Sequence, residues 1–160
     1  MRIRILILIT VIALTAVPAD LRADELYKTT LVRAAPGKLL ELIELSKERM
    51  TFYKEAGEKP PFWMRHSQGD QWDLLFLFPI GSFTEHYTLE RVEKRRKAQI
   101  ATGVSWQEYE TKWFELVAWH EEIFVNGPDL EVVAKAFEDA GFFHVEMFRA
   151  LPGMHADLYE

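Results

Sequence analysis

The nine residues from Trp72 to Ile80 (WDLLFLFPI) restrict the fold more than any other stretch of this chain. In an extended strand successive side chains point to opposite faces. Trp72, Leu74, Phe76 and Phe78 then line one face, and Leu75 and Leu77 the other. A strand that is apolar on both faces must be covered on both, so the sheet that holds it is expected to lie between two layers.

The flanking sequence supplies that sheet. Leu26 to Ala34 (LYKTTLVRA) is rich in Thr, Val, Leu and Tyr and predicts a strand. Pro36 opens a helix, where its missing N–H would be unpaired anyway. Leu39, Ile43, Met50 and Tyr53 recur at helical spacing, with Leu42 widening the stripe, until Gly57 and Pro60-Pro61 stop it. Phe62 to His66 and Trp72 to Ile80, joined by a turn at Gln68-Gly69-Asp70-Gln71, predict a hairpin. Ser82-Phe83-Thr84-Glu85 and Ser105-Trp106-Gln107-Glu108 both fit the capping box, and Val104 with Tyr109 suits the accompanying hydrophobic staple. The first of these helices is expected to run through a charged, solvated face at Arg91 to Lys97. The second is expected to carry Trp106, Tyr109, Trp113, Val117 and His120 along one side, a stripe that suits core or a subunit interface. Gly127-Pro128 opens a third helix that ends at Gly141, and Phe142 to Ala150 again predicts a strand.

Arg2 and Arg4 precede an apolar run from Ile5 to Val17 that only Thr10 and Thr15 interrupt, and Pro18 ends it. This is the layout of a secretory signal peptide, with small-residue exits near Ala19 and Ala23. The run is too short for a transmembrane helix, which needs about 20 apolar residues. The expectation is therefore a periplasmic or secreted protein without a stable membrane anchor. Loss of Arg2, Arg4, Arg22 and Asp20 with residues 1–23 leaves 16 basic and 24 acidic residues, a net charge near −8. That sign argues against nucleic acid as a partner. The chain has no cysteine, so a packed core rather than disulfides must stabilise it.

Arg33-Ala34-Ala35-Pro36-Gly37 is echoed 116 residues later by Arg149-Ala150-Leu151-Pro152-Gly153, and six of the twelve positions from Arg33 to Glu44 are identical in the second copy. The domain organisation expected from this is a signal peptide (1–23), a first unit (24–120), a connecting helical segment (121–141) and the beginning of a second, truncated unit (142–160). Strand, helix, hairpin, helix, strand is the order of a ferredoxin-like βαββαβ unit, an α+β fold. With the Arg-Ala-x-Pro-Gly junctions and the hairpin ending in Trp72-Asp73-Leu74-Leu75-Phe76, the chain resembles the dimeric α/β-barrel superfamily, in which two such units pack sheet to sheet. Its members include small monooxygenases that act without a metal, haem-using and haem-degrading enzymes, stress-responsive proteins and NIPSNAP-like proteins. The resemblance implies an apolar barrel cavity, and either a homodimer or intramolecular pairing of repeats.

No phosphate-binding loop, dinucleotide fingerprint or nucleophile elbow is present. His120-Glu121-Glu122 lacks the second histidine of a zincin, and His144 with Glu146 suits a solvated face, so no metal site is assigned. His66, on the same side as Phe62 and Met64, and His86, beside Tyr87, are the candidate catalytic residues, since a histidine in an apolar cavity can shuttle protons or bind haem iron. Trp63, Arg65, Trp72 and Tyr87 are the candidate ligand-binding residues. Two functions follow: an exported small-molecule-binding protein with an apolar cavity, or a cofactor-independent or haem-linked oxidoreductase. The sequence names no cofactor; none at all, or haem as the weaker option, are both left open.

Overall fold

The computed structural model describes residues 25–154 apart from Val104. The signal segment with its exits at Ala19 and Ala23, the staple at Val104 and the residues after Met154 in the second repeat copy lie outside the described residues.

The elements in chain order are β1 (Glu25–Ala34), α1 (Leu39–Ala56), β2 (Phe62–Arg65), β3 (Leu74–Gly81), α2 (Phe83–His86), α3 (Leu89–Thr102), α4 (Trp106–Leu116), β4 (Val117–Gly127) and α5 (Leu130–Asp139). The sheet order is β2-β3-β1-β4, and every neighbouring pair is antiparallel. This is the ferredoxin-like arrangement of an α+β domain. Helices α1, α3 and α4 lie over one face, here called the near face.

Val32, Ala34, Leu42, Leu74 and Phe76 form the buried core between the near face and α1. On the far face Leu31, Trp72 and Leu75 form a second buried cluster, so the strand is buried on both sides, but Trp72 precedes β3 and lies with Leu75 instead of with Leu74 and Phe76 as strand alternation predicts. The cover of this face within the chain is not a second sheet among the described residues. The Tyr27 hydroxyl donates to the Pro128 carbonyl (2.7 Å), and Phe62 of β2 meets Phe137 of α5 at 4.9 Å. Towards β4 the far face is less covered, and Ile123 is 39% exposed.

Three elements differ from expectation. The helix that starts at Ser105 ends at Leu116, and His120 lies on β4 instead. The helical spacing of Trp106, Tyr109, Trp113 and Val117 continues by coincidence into a segment whose β-branched and aromatic content suits a strand. β1, which has a free edge there, pairs with it from Glu25 to Ala34. Residues 121–127, expected in a helical segment, are strand. Phe142 to Ala150, expected as a strand, forms no ladder, and β4 takes the edge of β1 in its place. The helix from Ser82 breaks after His86, and Thr88 restarts it by accepting the Arg91 N–H (3.4 Å).

The two Pro-Gly junctions share one local geometry. Lys38 N–H donates to the Ala35 carbonyl and Met154 N–H to the Leu151 carbonyl, each at 2.9 Å. Gly37 and Gly153 take φ of 76° and 84°, the positive φ that the third position of a type II turn requires.

Candidate functional site

A cavity of about 720 Å³ lies between the near face and helices α1, α3 and α4. Thr30, Phe76, Phe78 and Ile80 floor it from the sheet, and Met50, Phe52 and Tyr53 wall it from α1. Trp106, Tyr109 and Trp113 of α4 close one side, with His120 of β4 beneath. The His120 ring meets Trp113 edge-on at 5.0 Å. Of the stripe expected as core or subunit interface, Trp106 and Tyr109 are cavity wall, whereas Trp113 lines the cavity and, with Val117, also packs against the near-face core.

α1 places the cavity's central polar group. Leu42, Ser46, Arg49, Phe52 and Ala56 are its buried residues, one helical face at spacings of three and four. Arg49 is only 5% exposed. Its guanidinium carbon lies 3.8 Å from the ring centroid of Phe52, 4.5 Å from that of Trp106 and 4.8 Å from that of Tyr109. Its Nη1 is buried without a hydrogen-bond partner. Burial holds the guanidinium below its ordinary pKa range, an effect opposed by the phenols of Tyr53 and Tyr109 and by Glu110. The same burial raises the Tyr53 and Tyr109 phenols, which stay neutral.

The other cations at the cavity have anionic partners. Lys28 pairs with Glu122 at 2.9 Å, and Arg96 with Glu93 at 2.8 Å. Gly57, in the left-handed conformation, ends α1 and directs Glu58 towards α3. There Arg95 (2.6 Å) and Arg91 (3.3 Å) both donate to the Glu58 carboxylate. The run Arg91 to Lys97 is therefore not simply a solvated face, since two of its residues, one turn apart, turn inwards.

His86 is held by the same cluster. Arg95 donates to its Nδ1 (3.0 Å) and to its carbonyl (2.8 Å). Arginine carries no acceptor, so Nδ1 accepts and the ring hydrogen sits on Nε2. Burial first, then the neighbouring Arg95 and Arg91, lowers the His86 pKa to about 4.

The structure divides the sequence candidates. His86 and Tyr87 reach the main cavity, Tyr87 at 61% exposure. Trp63 stacks on Phe76 (5.8 Å) beside the near-face core, and Arg65 is exposed at the end of β2. His66 and Trp72 stack on each other at 4.2 Å in a separate polar depression of about 320 Å³ formed by the hairpin loop and Arg33. The His66 Nδ1 is 2.9 Å from the Trp72 carbonyl, whereas the buried Trp72 Nε1 has no partner. The two candidate histidines therefore serve different surfaces. Arg49 was not among the candidates, although its sequence signal was present: an arginine seven residues after Leu42, on the apolar stripe.

Fold and site together define a ferredoxin-like α+β domain with an aromatic-walled cavity between sheet and helices. No protein-family model and no curated protein matches the chain. Among solved structures it is similar to a NIPSNAP family protein from Agrobacterium tumefaciens, with 17% identity over 66% of this chain and 88% of that one and a TM-score of 0.48. A second NIPSNAP family protein from that organism, of unknown function, has 12% identity over 68% and 93%, with a TM-score of 0.48. A dimeric ferredoxin-like protein of unknown function from Bacteroides fragilis has 8% identity over 64% and 96%, with a TM-score of 0.40. The likeness is one of architecture.

Proposed function

We propose that this is an exported small-molecule-binding protein whose ligand occupies the cavity between the near face and α1, α3 and α4. The carrying observation is the cavity itself: about 720 Å³, with a surface that is mostly aromatic and aliphatic, although charged residues such as Lys28, Glu58, Arg95 and Glu122 also line it. Small-molecule sites have this size and this balance of lining. The basic–apolar–Pro pattern of residues 2–18 supports export. Ile123 with its half-buried far-face neighbours Trp119 and Val125 supports pairing with a second copy, which would cover them.

The oxidoreductase alternative needs a reactive histidine at the cavity; His120 packs edge-on against Trp113 and Phe114 there, and the candidate read from the sequence is His86. With a pKa of about 4 it is neutral at neutral pH and a weak base. Its hydrogen on Nε2 and its acceptor Nδ1 reverse the arrangement in which a metal-ligating histidine donates through its second nitrogen. Binding is therefore the function that these residues support better.

The test is titration of the purified protein with phenylnaphthylamine, a neutral probe that fluoresces in apolar surroundings. Saturable binding of one probe per chain is expected, with energy transfer from Trp106 and Trp113. Absence of saturable binding by a cooperatively melting protein would count decisively against the proposal.

A further inference from the structure

We infer that the cavity selects an organic anion, with Arg49 as the anchor for its charged group and the surrounding rings as the seat of its apolar body. This rests on the proposal that the cavity binds a small molecule, and adds the class of that molecule.

A buried cation is unfavourable unless it is paired and hydrogen-bonded. Lys28, Arg95 and Arg96, the other cations lining the cavity, each hold a carboxylate, whereas no ion pair to Arg49 is present among the described residues. Glu110, a carboxylate whose charge acts on Arg49, also lines the cavity but makes no ion pair with it. The faces of Phe52, Trp106 and Tyr109 attract the positive charge. Their faces are poor acceptors for its N–H groups, and although the Tyr53 hydroxyl offers the guanidinium one hydrogen-bond partner, Nη1 remains without an acceptor. A carboxylate or sulfonate supplies both the missing charge and two acceptor oxygens in the spacing of that fork. Met50, Phe78 and Ile80 leave apolar surface for the rest of such a molecule. A free inorganic anion would fill the fork but leave this surface bare, so the ligand class is amphipathic.

Two probes that share their rings and differ by a sulfonate isolate the anchor: anilinonaphthalene sulfonate and phenylnaphthylamine. The protein is expected to bind the sulfonate roughly tenfold to a hundredfold more tightly than the neutral probe, the range for a charge-assisted hydrogen-bonded contact. Arg49→Met, close in volume and apolar, should erase that preference, read as the ratio of the two probes' affinities within the same variant. Arg49→Lys, which keeps the charge but not the fork, should retain part of it. Equal preference in Arg49→Met and the parent protein overturns the anchor, as does a parent protein without preference. Those results leave the cavity proposal standing, because the neutral probe still binds; failure of both probes removes the cavity proposal itself. If Arg49→Met does not melt cooperatively, the nitrogen-15 signal of the Arg49 Nε–H in the parent protein decides. It should move on addition of the sulfonate and not of the neutral probe, and a signal that ignores both overturns the inference.

Discussion

Arg49 and His86 respond differently to burial. An arginine keeps its proton under any ordinary condition, so burial of Arg49 creates a demand for an anion rather than a change of charge. His86 answers the same pressure by losing its proton, because Arg95 occupies Nδ1 and Arg91 adds further positive charge. Its folded pKa of about 4 lies below the unfolded value near 6.5. Below pH 6.5 the unfolded chain takes up the proton first, so stability is complete above that pH and is lost as pH falls towards 4. The whole shift would correspond to about 3 kcal/mol, but His86 is only half-buried and solvent screening reduces the expected loss to about 1 kcal/mol. Urea unfolding at pH 7 and pH 4.5 should show this loss in the parent protein and not in His86→Gln. Identical pH dependence in the two proteins would mean that His86 is not the titrating group.

At the scale of elements, the decisive competition is for the free edge of β1. Both Val117–Gly127 and Phe142–Ala150 have strand-like composition, and β4 takes that edge with a ladder running the whole length of β1. Proximity favours this outcome, since β4 follows directly from α4 with no intervening loop, and closing a shorter loop loses less chain entropy. Amide hydrogen exchange should show the difference. Amides of β4 bonded to β1 are expected to exchange orders of magnitude more slowly than those of Phe142–Ala150. Similar protection in the two segments would show that both are paired. The helix starts are simpler, because capping is local. Ser82 accepts the Glu85 N–H and Ser105 the Glu108 N–H where the capping boxes stand. Thr88 adds a third cap, which splits one expected helix into two.

For the whole molecule, location and pairing belong together. Export would leave a chain beginning near Asp20 or Asp24, and a second copy would cover the far face around Ile123. Expression in a bacterial host followed by fractionation should recover the protein outside the cytoplasm, with its N-terminus at one of those residues and a sedimentation coefficient of a dimer. Retention of Met1 in the cytoplasmic fraction would refute export, and a monomer at high concentration would refute pairing. Among the described residues no helix is long and apolar enough to cross a membrane.

The local and periodic features were legible in the sequence. The doubly apolar strand at Leu74–Gly81, the hairpin, the Ser caps and the β–α junction at Pro36-Gly37 depend on residues close to one another in the chain, and they define the ferredoxin-like order of elements. Tertiary structure decided whatever depends on which distant segments meet. Val117–Gly127 is a strand because β1 offered it a ladder, against a helical spacing that ran through Val117. His66 and His86 look alike in the sequence, yet one stacks on Trp72 in the hairpin loop and the other is held by Arg95 at the cavity. Arg49 stands out only when the partners of the surrounding cations are known. Its position on the α1 stripe is a matter of spacing, whereas its lack of an anion follows from the packing of α1 against α3 and α4.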